Sequence, residues 1–155
     1  MRTDDPRLEA KRKELADRVN RMDELLVTII KNHIALEQAM SEFLVASGKD
    51  PKDLDFYHKV KECEGLKPQE VEAPMWQVFY AANQLRNQMA HTYDEQKVKE
   101  KLDALRAKYI AALSTPAEVE AAKKLTDNQL SAVTMPSCGA CLIVATDRVK
   151  AAGKK

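Results

Sequence analysis

The sequence contains little glycine and few aromatic residues. Only four glycines occur in 155 residues, and Phe, Trp and Tyr together make up 5% of the chain. An average protein contains roughly 7% glycine, and all-β folds and phosphate-binding loops depend on glycine-rich turns. The composition therefore argues against sandwiches, barrels and glycine-rich nucleotide-binding loops.

An excess of charge of one sign is also missing. The chain has 25 Lys and Arg residues against 24 Asp and Glu residues, which leaves a net charge of +1. No overall basic field attracts nucleic acid, so any RNA contact has to be made by a few placed residues. The chain has three cysteines, an odd number, and no secretory context. This favours the reducing interior of a cell and argues against a disulfide framework.

Neither a signal peptide nor a good membrane span is predicted. The first residues, MRTDDPRLEAKRKEL, are charged throughout and lack an apolar core. The uncharged run from Asn128 to Thr146 contains polar residues and a proline, which makes it a poor candidate for crossing a bilayer. We therefore expect a cytoplasmic protein that does not contact a membrane.

Apolar residues recur every three or four positions from Leu15 to Leu44, and this spacing predicts a long helix. Asp5-Pro6 supplies an N-cap and a first-turn proline, and Gly48 supplies a stop. The pattern does not decide between one helix and two helices joined near Asn20.

Shorter helices are predicted after this one, over 54–65, from 75 to about 92, from Asp94 onward and from Thr115-Pro116 onward. The mixed charges of Lys97–Lys101 are interpreted as a solvated helix face. After Asp127 the pattern fades, and Cys141–Thr146 is predicted as a lone strand or a helix fragment.

These elements predict an all-α fold. The expected architecture is an antiparallel four-helix-type bundle with a long N-terminal helix and an extra C-terminal helical segment. We assign residues 1–113 to the bundle domain. Residues 114–155 are assigned to a C-terminal helix and tail that packs on the bundle or extends from it.

The helix from Met75 has an unusual outward face. A rotation of 100° per residue turns Val78, Ala82, Leu85 and Met89 toward the core. A solvated face usually carries Lys and Glu, but this one carries amides, an aromatic ring and an imidazole, which is typical of an interface or a site. The outward residues are Tyr80, Asn83, Asn87 and His91.

Arg86 lies between the two faces of this helix. It is five positions from His91, which corresponds to about 140° on an ideal helix. The two side chains can serve one phosphate only through the reach of arginine, a loosened last turn or a partner subunit. Asn87 and His91 are four positions apart, so they lie on one ridge and can form a hydrogen bond.

The motif Arg86-Asn87-Gln88-Met89-Ala90-His91 resembles the signature of the HEPN superfamily: arginine, a polar residue, three more residues and histidine. With Thr92-Tyr93 it resembles HEPN toxins that pair with minimal nucleotidyltransferase antitoxins. The stretch LDFYHKVKECEGL, followed by a spacer and RNQMAH, is also similar to mannitol operon repressor-type HEPN proteins. The resemblance covers about Leu25 to Tyr109, although its specific part is eight residues long.

The resemblance implies a metal-independent endoribonuclease that works as a homodimer on RNA, with no metal site and no cofactor. Its catalytic residues would be Arg86, Asn87 and His91. Histidine is the only residue type of the motif that titrates near neutral pH, so His91 is the natural general base or acid. Arg86 would stabilise charge on the phosphate, and Asn87 would orient the imidazole or a phosphate oxygen. One histidine cannot readily be both base and acid, which favours two motifs facing each other across a twofold axis.

The resemblance also implies partners. Tyr93 matches the tyrosine on which the nucleotidyltransferase-type antitoxin places nucleotides, and another regulatory protein could take that place. Tyr80 and Asn83 are predicted to bind substrate or partner. The alternative is a non-catalytic HEPN-like regulatory or adaptor module, in which Arg86 anchors a neighbouring helix and His91 caps the helix C-terminus.

Cys138 and Cys141 have the spacing of a redox pair or of half a zinc site. No strand–helix–strand pattern precedes them, and Cys63, His33 and His58 show no ligand spacing. Two incidental thiols in a flexible tail are therefore the preferred interpretation, with a labile disulfide as the alternative. His33 is predicted as a core or interface residue of the first helix.

Overall fold

The computed structural model describes residues 4–91 and 94–154, and every regular element within them is a helix. The prediction of an all-α fold with a long N-terminal helix is confirmed. These described residues form six helices: α1 (Pro6–Ala46), α2 (Phe56–Gly65), α3 (Ala73–His91), α4 (Glu95–Ala111), α5 (Pro116–Lys123) and α6 (Asp127–Ala152).

Helix α1 is one continuous helix of 41 residues, which settles the question left open at Asn20. At 1.5 Å per residue it is about 60 Å long. Its N-cap is Asp5, whose Oδ1 accepts a hydrogen bond of 2.9 Å from the backbone N–H of Arg7. The helix ends where Gly48 adopts a positive φ of 80°, a conformation that costs glycine little.

The first third of α1 carries its apolar stripe outside the bundle. Leu15 and Val19 are 59% and 43% exposed, whereas Met22 and Ile29 are buried. The helices that pack on α1 therefore cover its apolar stripe only from Met22 onward.

Helix α6 packs along α1 and forms the most extensive helix–helix interface of the fold. It is a single helix of 26 residues, so the prediction of a lone strand or helix fragment, and of a flexible tail, is wrong. Its start is secured by a capping box between Thr126 and Gln129. The inner face includes Ser131, Gly139 and Ala145, which are small or polar, and this is why the sequence shows no clear apolar stripe.

Helix α6 also meets the length and composition expected of a membrane span. Half of its apolar window is buried within the fold, and core helices share the same length and composition.

Helices α3 and α4 pack against each other and position the motif. The four residues predicted to face the core of α3 are all buried: Val78, Ala82, Leu85 and Met89. Asp94 caps α4 by accepting hydrogen bonds from the backbone N–H groups of Gln96 and Lys97. Because the connection from His91 to α4 is short, the first turns of α4 lie beside the last turns of α3.

Candidate functional site

The outward face of α3 is only partly exposed. Arg86, Asn83 and Asn87 are half-buried, and His91 is exposed at the C-terminal end of the helix. Helices α1 and α2 pack against one side of α3, and α4 packs against the other. The motif therefore borders two separate depressions.

The first depression, which we call the Arg86 pocket, lies between α1, the start of α2 and α3. Its volume is about 320 Å³. It combines one guanidinium, two amides and two carboxylates with an aromatic wall. The lining residues are His33, Glu37, Asp55, Phe56, Tyr57, Asn83, Arg86 and Asn87.

His33 forms the inner wall of the Arg86 pocket. Its side chain is 5% exposed, and its ring stacks on Phe56 with 4.0 Å between centroids. Its Nε2 atom lies 3.4 Å from Oδ1 of Asn83. Burial lowers the pKa of His33 below its ordinary value; Arg86 adds to this effect, while Asn83 and Glu37 oppose it. The imidazole beside Arg86 is therefore neutral at physiological pH.

The two carboxylates of the pocket are already oriented by neighbours. Oε1 of Glu37 accepts a hydrogen bond of 2.8 Å from Nζ of Lys59, whose side chain is only 12% exposed. Asp55 caps α2 by accepting from the backbone N–H of His58 at 2.9 Å, and its Oδ1 lies 2.6 Å from the imidazole Nδ1 of the same residue. These contacts hold the pKa of Asp55 below its usual range.

The second depression, which we call the His91 groove, lies between the end of α3 and the start of α4. Its volume is also about 320 Å³. Its lining includes two lysines and no carboxylate, so the groove favours an anion. The lining residues are Gln84, Asn87, Gln88, His91, Lys97 and Lys101. The interpretation of Lys97–Lys101 as a solvated face is therefore incomplete, because both end residues line this groove.

Arg86 and His91 do not meet in one chain. Arg86 lines the Arg86 pocket, His91 lines the His91 groove, and Asn87 lines both. Nη1 of Arg86 donates a hydrogen bond of 3.3 Å to Oδ1 of Asn87. Within the described part of the chain, the expected hydrogen bond between Asn87 and His91 does not form. Asn87 is thus the physical link between the two parts of the motif.

Tyr80 lines neither depression, although its ring contacts Tyr57 at the rim of the Arg86 pocket. Its hydroxyl donates a hydrogen bond of 2.6 Å to Oε2 of Glu64, which joins α3 to α2. Burial and the neighbouring carboxylate raise the pKa of Tyr80. Asn83 lines the Arg86 pocket, whereas Tyr93 lies outside the described residues.

The cysteines form no metal site in the described residues, where no group of three or more metal-binding side chains occurs. Cys63 and Cys138 are fully buried, and Cys141 is half-buried on α6. Burial raises the pKa of Cys63 to about 12 and also raises the pKa of Cys138 and Cys141. All three are free thiols.

A larger cleft of about 490 Å³ lies between α1, α4 and the start of α6. Its charged rim is largely paired: Arg18 binds Glu95 at 2.7 Å, and Asp127 lies 3.4 Å from Arg106. It contains no histidine and no motif residue, so its size alone does not make it the functional site.

Sequence reasoning missed several residues of the site. His33 is buried, as expected of a core or interface residue, but nothing in the sequence pointed to its contact with Asn83. Glu37 and Tyr57 carry no local signal, because they reach the site only through the packing of α1 and α2 against α3. Lys97 and Lys101 do carry a local signal. They are four positions apart at the start of the helix that follows the motif, and Asn87 and His91 have the same spacing at the end of α3.

Known proteins were compared with the chain, and no protein-family model, no curated protein and no solved structure matches it. The functional argument therefore depends on the geometry and on the motif.

Proposed function

We propose that the protein is a metal-independent endoribonuclease of the HEPN type that acts as a homodimer. The observation that supports this proposal is the position of Asn87, which lines both the Arg86 pocket and the His91 groove. The guanidinium of Arg86 lies on one side of Asn87, and the imidazole of His91 lies with two lysines on the other side. RNA cleavage without a metal needs these groups: a proton carrier and cations that stabilise the phosphate.

The chemistry is an attack of the ribose 2′-hydroxyl on the adjacent phosphorus. The 2′-oxygen forms a bond to phosphorus, and the bond from phosphorus to the 5′-oxygen breaks. One imidazole takes the 2′-hydroxyl proton, and a protonated imidazole delivers a proton to the leaving 5′-oxygen. Arg86 stabilises the charge that develops on the phosphoryl oxygens. The products are a 2′,3′-cyclic phosphate and a 5′-hydroxyl.

A second copy of the chain completes this site. Because Arg86 and His91 line different depressions within one chain, they cannot both contact one phosphate without a rearrangement. A twofold arrangement of the ends of α3 supplies two histidines and two arginines to one cleft. One of the two histidines can then act as the base while the other acts as the acid.

The test is cleavage of single-stranded RNA by purified protein in the presence of EDTA. We expect a cyclic phosphate product, and we expect His91→Ala to reduce the rate at least about a hundredfold, the contribution typical of a general acid or base. Lys123→Ala is the control, since it removes an exposed cation of α5 outside both depressions. Cleavage that survives His91→Ala, or that needs a divalent metal, would contradict the proposal.

A homodimer can be tested separately from activity. Sedimentation should show a dimer. Adding His91→Ala protein to the wild type should lower cleavage by more than dilution, because a mixed dimer keeps only one of the two imidazoles that the mechanism uses. A strictly monomeric, active enzyme would rule out the shared cleft.

The separation of Arg86 from His91 also favours a second candidate, a non-catalytic regulatory or adaptor module. In that case the same surface binds a protein, such as a nucleotidyltransferase-type antitoxin. Expression in cells distinguishes the two candidates: a toxin arrests growth, and His91→Ala relieves the arrest. A module that only binds a partner causes no arrest and cleaves no RNA under any condition.

A further inference from the structure

We infer that the Arg86 pocket binds a guanine base of the RNA and selects it over adenine. The inference rests on the proposed ribonuclease function, because it takes the base as part of the RNA whose phosphate Arg86 contacts. Four observations support it: the size of the pocket, its aromatic wall, the open Oε2 atom of Glu37 and a pair of amides on α3.

The pocket is suited to one flat ring system. Its volume of about 320 Å³ is at the small end of the range for ligand sites, which holds a base but not a second protein helix. Phe56 and His33 stack on each other and form a rigid inner wall. Tyr57 is 43% exposed at the rim, where its ring also contacts His58 and Tyr80. Bases of single-stranded RNA stack on such aromatic side chains.

Glu37 supplies the acceptor that distinguishes guanine. Lys59 occupies Oε1 of Glu37, and Oε2 makes no hydrogen bond within the described part of the chain. Guanine presents two neighbouring N–H donors, N1–H and N2–H, to a carboxylate. Adenine presents an acceptor at N1, which a carboxylate repels. Lys59 is largely buried, so it acts as a positioning residue that keeps the Glu37 carboxylate in place.

Asn83 and Asn87 supply the complementary donors. Oδ1 of Asn83 lies beside His33, and Oδ1 of Asn87 accepts from Arg86, so the Nδ2 groups of both amides are left to donate. Guanine has two acceptors, O6 and N7, for such donors. Asp55 presents a second carboxylate to the pocket, and its Oδ1 atom already contacts His58.

The second carboxylate makes a purely anionic ligand unfavourable here. Arg86 is the one cation that lines the pocket, and Glu37 and Asp55 oppose it. Because Lys59 is already paired with Glu37, a free phosphate or sulfate would meet no excess of positive charge. A nucleotide suits both the guanidinium and the carboxylate of the pocket, because its phosphate can contact Arg86 at the rim while its base donates to Glu37.

The experiment is calorimetric titration of the full-length protein with 5′-GMP and with 5′-AMP. Neither nucleotide contains the phosphodiester bond that the proposed reaction cleaves. We expect GMP to bind about tenfold more tightly than AMP, the discrimination typical of one bidentate contact to a base edge. Glu37→Gln should remove this preference. The matched control is Glu62→Gln, which breaks a similar ion pair of α2, with Lys49 at 2.9 Å, outside the pocket.

A second variant keeps the test decisive if Glu37→Gln disturbs folding. Tyr57→Ala changes an exposed side chain, and it should weaken GMP and AMP alike by loss of stacking. Equal binding of the two nucleotides by the wild type, no binding of either, or a preference that survives Glu37→Gln in folded protein would overturn the inference.

The outcomes also separate this inference from the proposed function. RNA cleavage with no enrichment of guanine at the cleavage sites, together with no GMP preference, overturns the guanine pocket and leaves the ribonuclease. A GMP preference lost in Glu37→Gln, without any RNA cleavage, supports the pocket and overturns the ribonuclease.

Discussion

Nε2 of His33 lies 3.4 Å from Oδ1 of Asn83 and connects the longest helix to the helix that carries the motif. The two residues are 50 positions apart in the chain. Their contact orients the Asn83 amide and places a neutral ring next to Arg86. The geometry of the Arg86 pocket therefore depends on how α1 packs against α3, and a disturbance of that packing changes the site as well as the stability.

The buried imidazole of His33 predicts a loss of stability in mild acid. Its folded-state pKa is lowered below 6.5, mainly by burial, so the unfolded chain binds the proton more readily. This contribution to the free energy of unfolding is present above pH 6.5 and is lost as the pH falls through the folded-state pKa. Urea denaturation between pH 7.5 and pH 5.5 should show the decrease.

Two variants check this assignment. His33→Gln removes the titration and keeps an amide that can contact Asn83, so its stability should change less between pH 7.5 and pH 5.5 than that of the wild type. His91→Gln removes an exposed imidazole and should keep the wild-type dependence. If His33→Gln also keeps it, the burial of His33 is not its cause.

The two lysines of the His91 groove predict a salt-dependent contact with RNA. Lys97→Ala and Lys101→Ala should each weaken binding of single-stranded RNA and reduce the slope of log K against log salt by about 0.7, the value for one phosphate contact. Binding at several salt concentrations measures this slope. Lys123→Ala, on α5, should leave it unchanged; an equal effect there would mean a diffuse charge effect rather than a groove.

Full burial of Leu142 predicts that α6 is part of the stable core. Leu142→Ala removes a side chain with 0% exposure and should lower the free energy of unfolding by about 2–5 kcal/mol. Ile143→Ala changes the next residue, which is 51% exposed, and should cost much less. Chemical denaturation measures both, and a small effect of Leu142→Ala would show that α6 packs loosely.

The three thiols should differ in reactivity. Burial excludes reagent from Cys63 and Cys138 and raises the pKa of both, which suppresses the thiolate that reacts. Iodoacetamide under native conditions should therefore modify Cys141 first and the other two only after unfolding. Mass spectrometry of the digested protein gives the order, and equal labelling of Cys138 and Cys141 would contradict it.

Much of the fold could be predicted from local patterns. The helix starts at Asp5, Asp94 and Thr115 could be predicted because a side chain that accepts from the next turn acts within a few residues. The inward stripe of α3 was also correct, because one face of it contacts the core over its whole length. Helix α6 was not predicted as one helix, because several helices pack on it and no single apolar stripe results. In addition, Gly139 lies against Leu36 and Ala39, where an apolar side chain would be expected.

The candidate site was only partly predictable, because some of its residues meet only through the packing of separate helices. The sequence determined on its own that Asn87 and His91 stand on a polar face at the end of a helix, with Arg86 at the edge of that face, since helical geometry relates residues within two turns. Only the tertiary structure decided that Arg86 and His91 open into different depressions. Only the tertiary structure brought His33, Glu37 and Lys101 to them, because those contacts join separate helices and depend on how the helices pack.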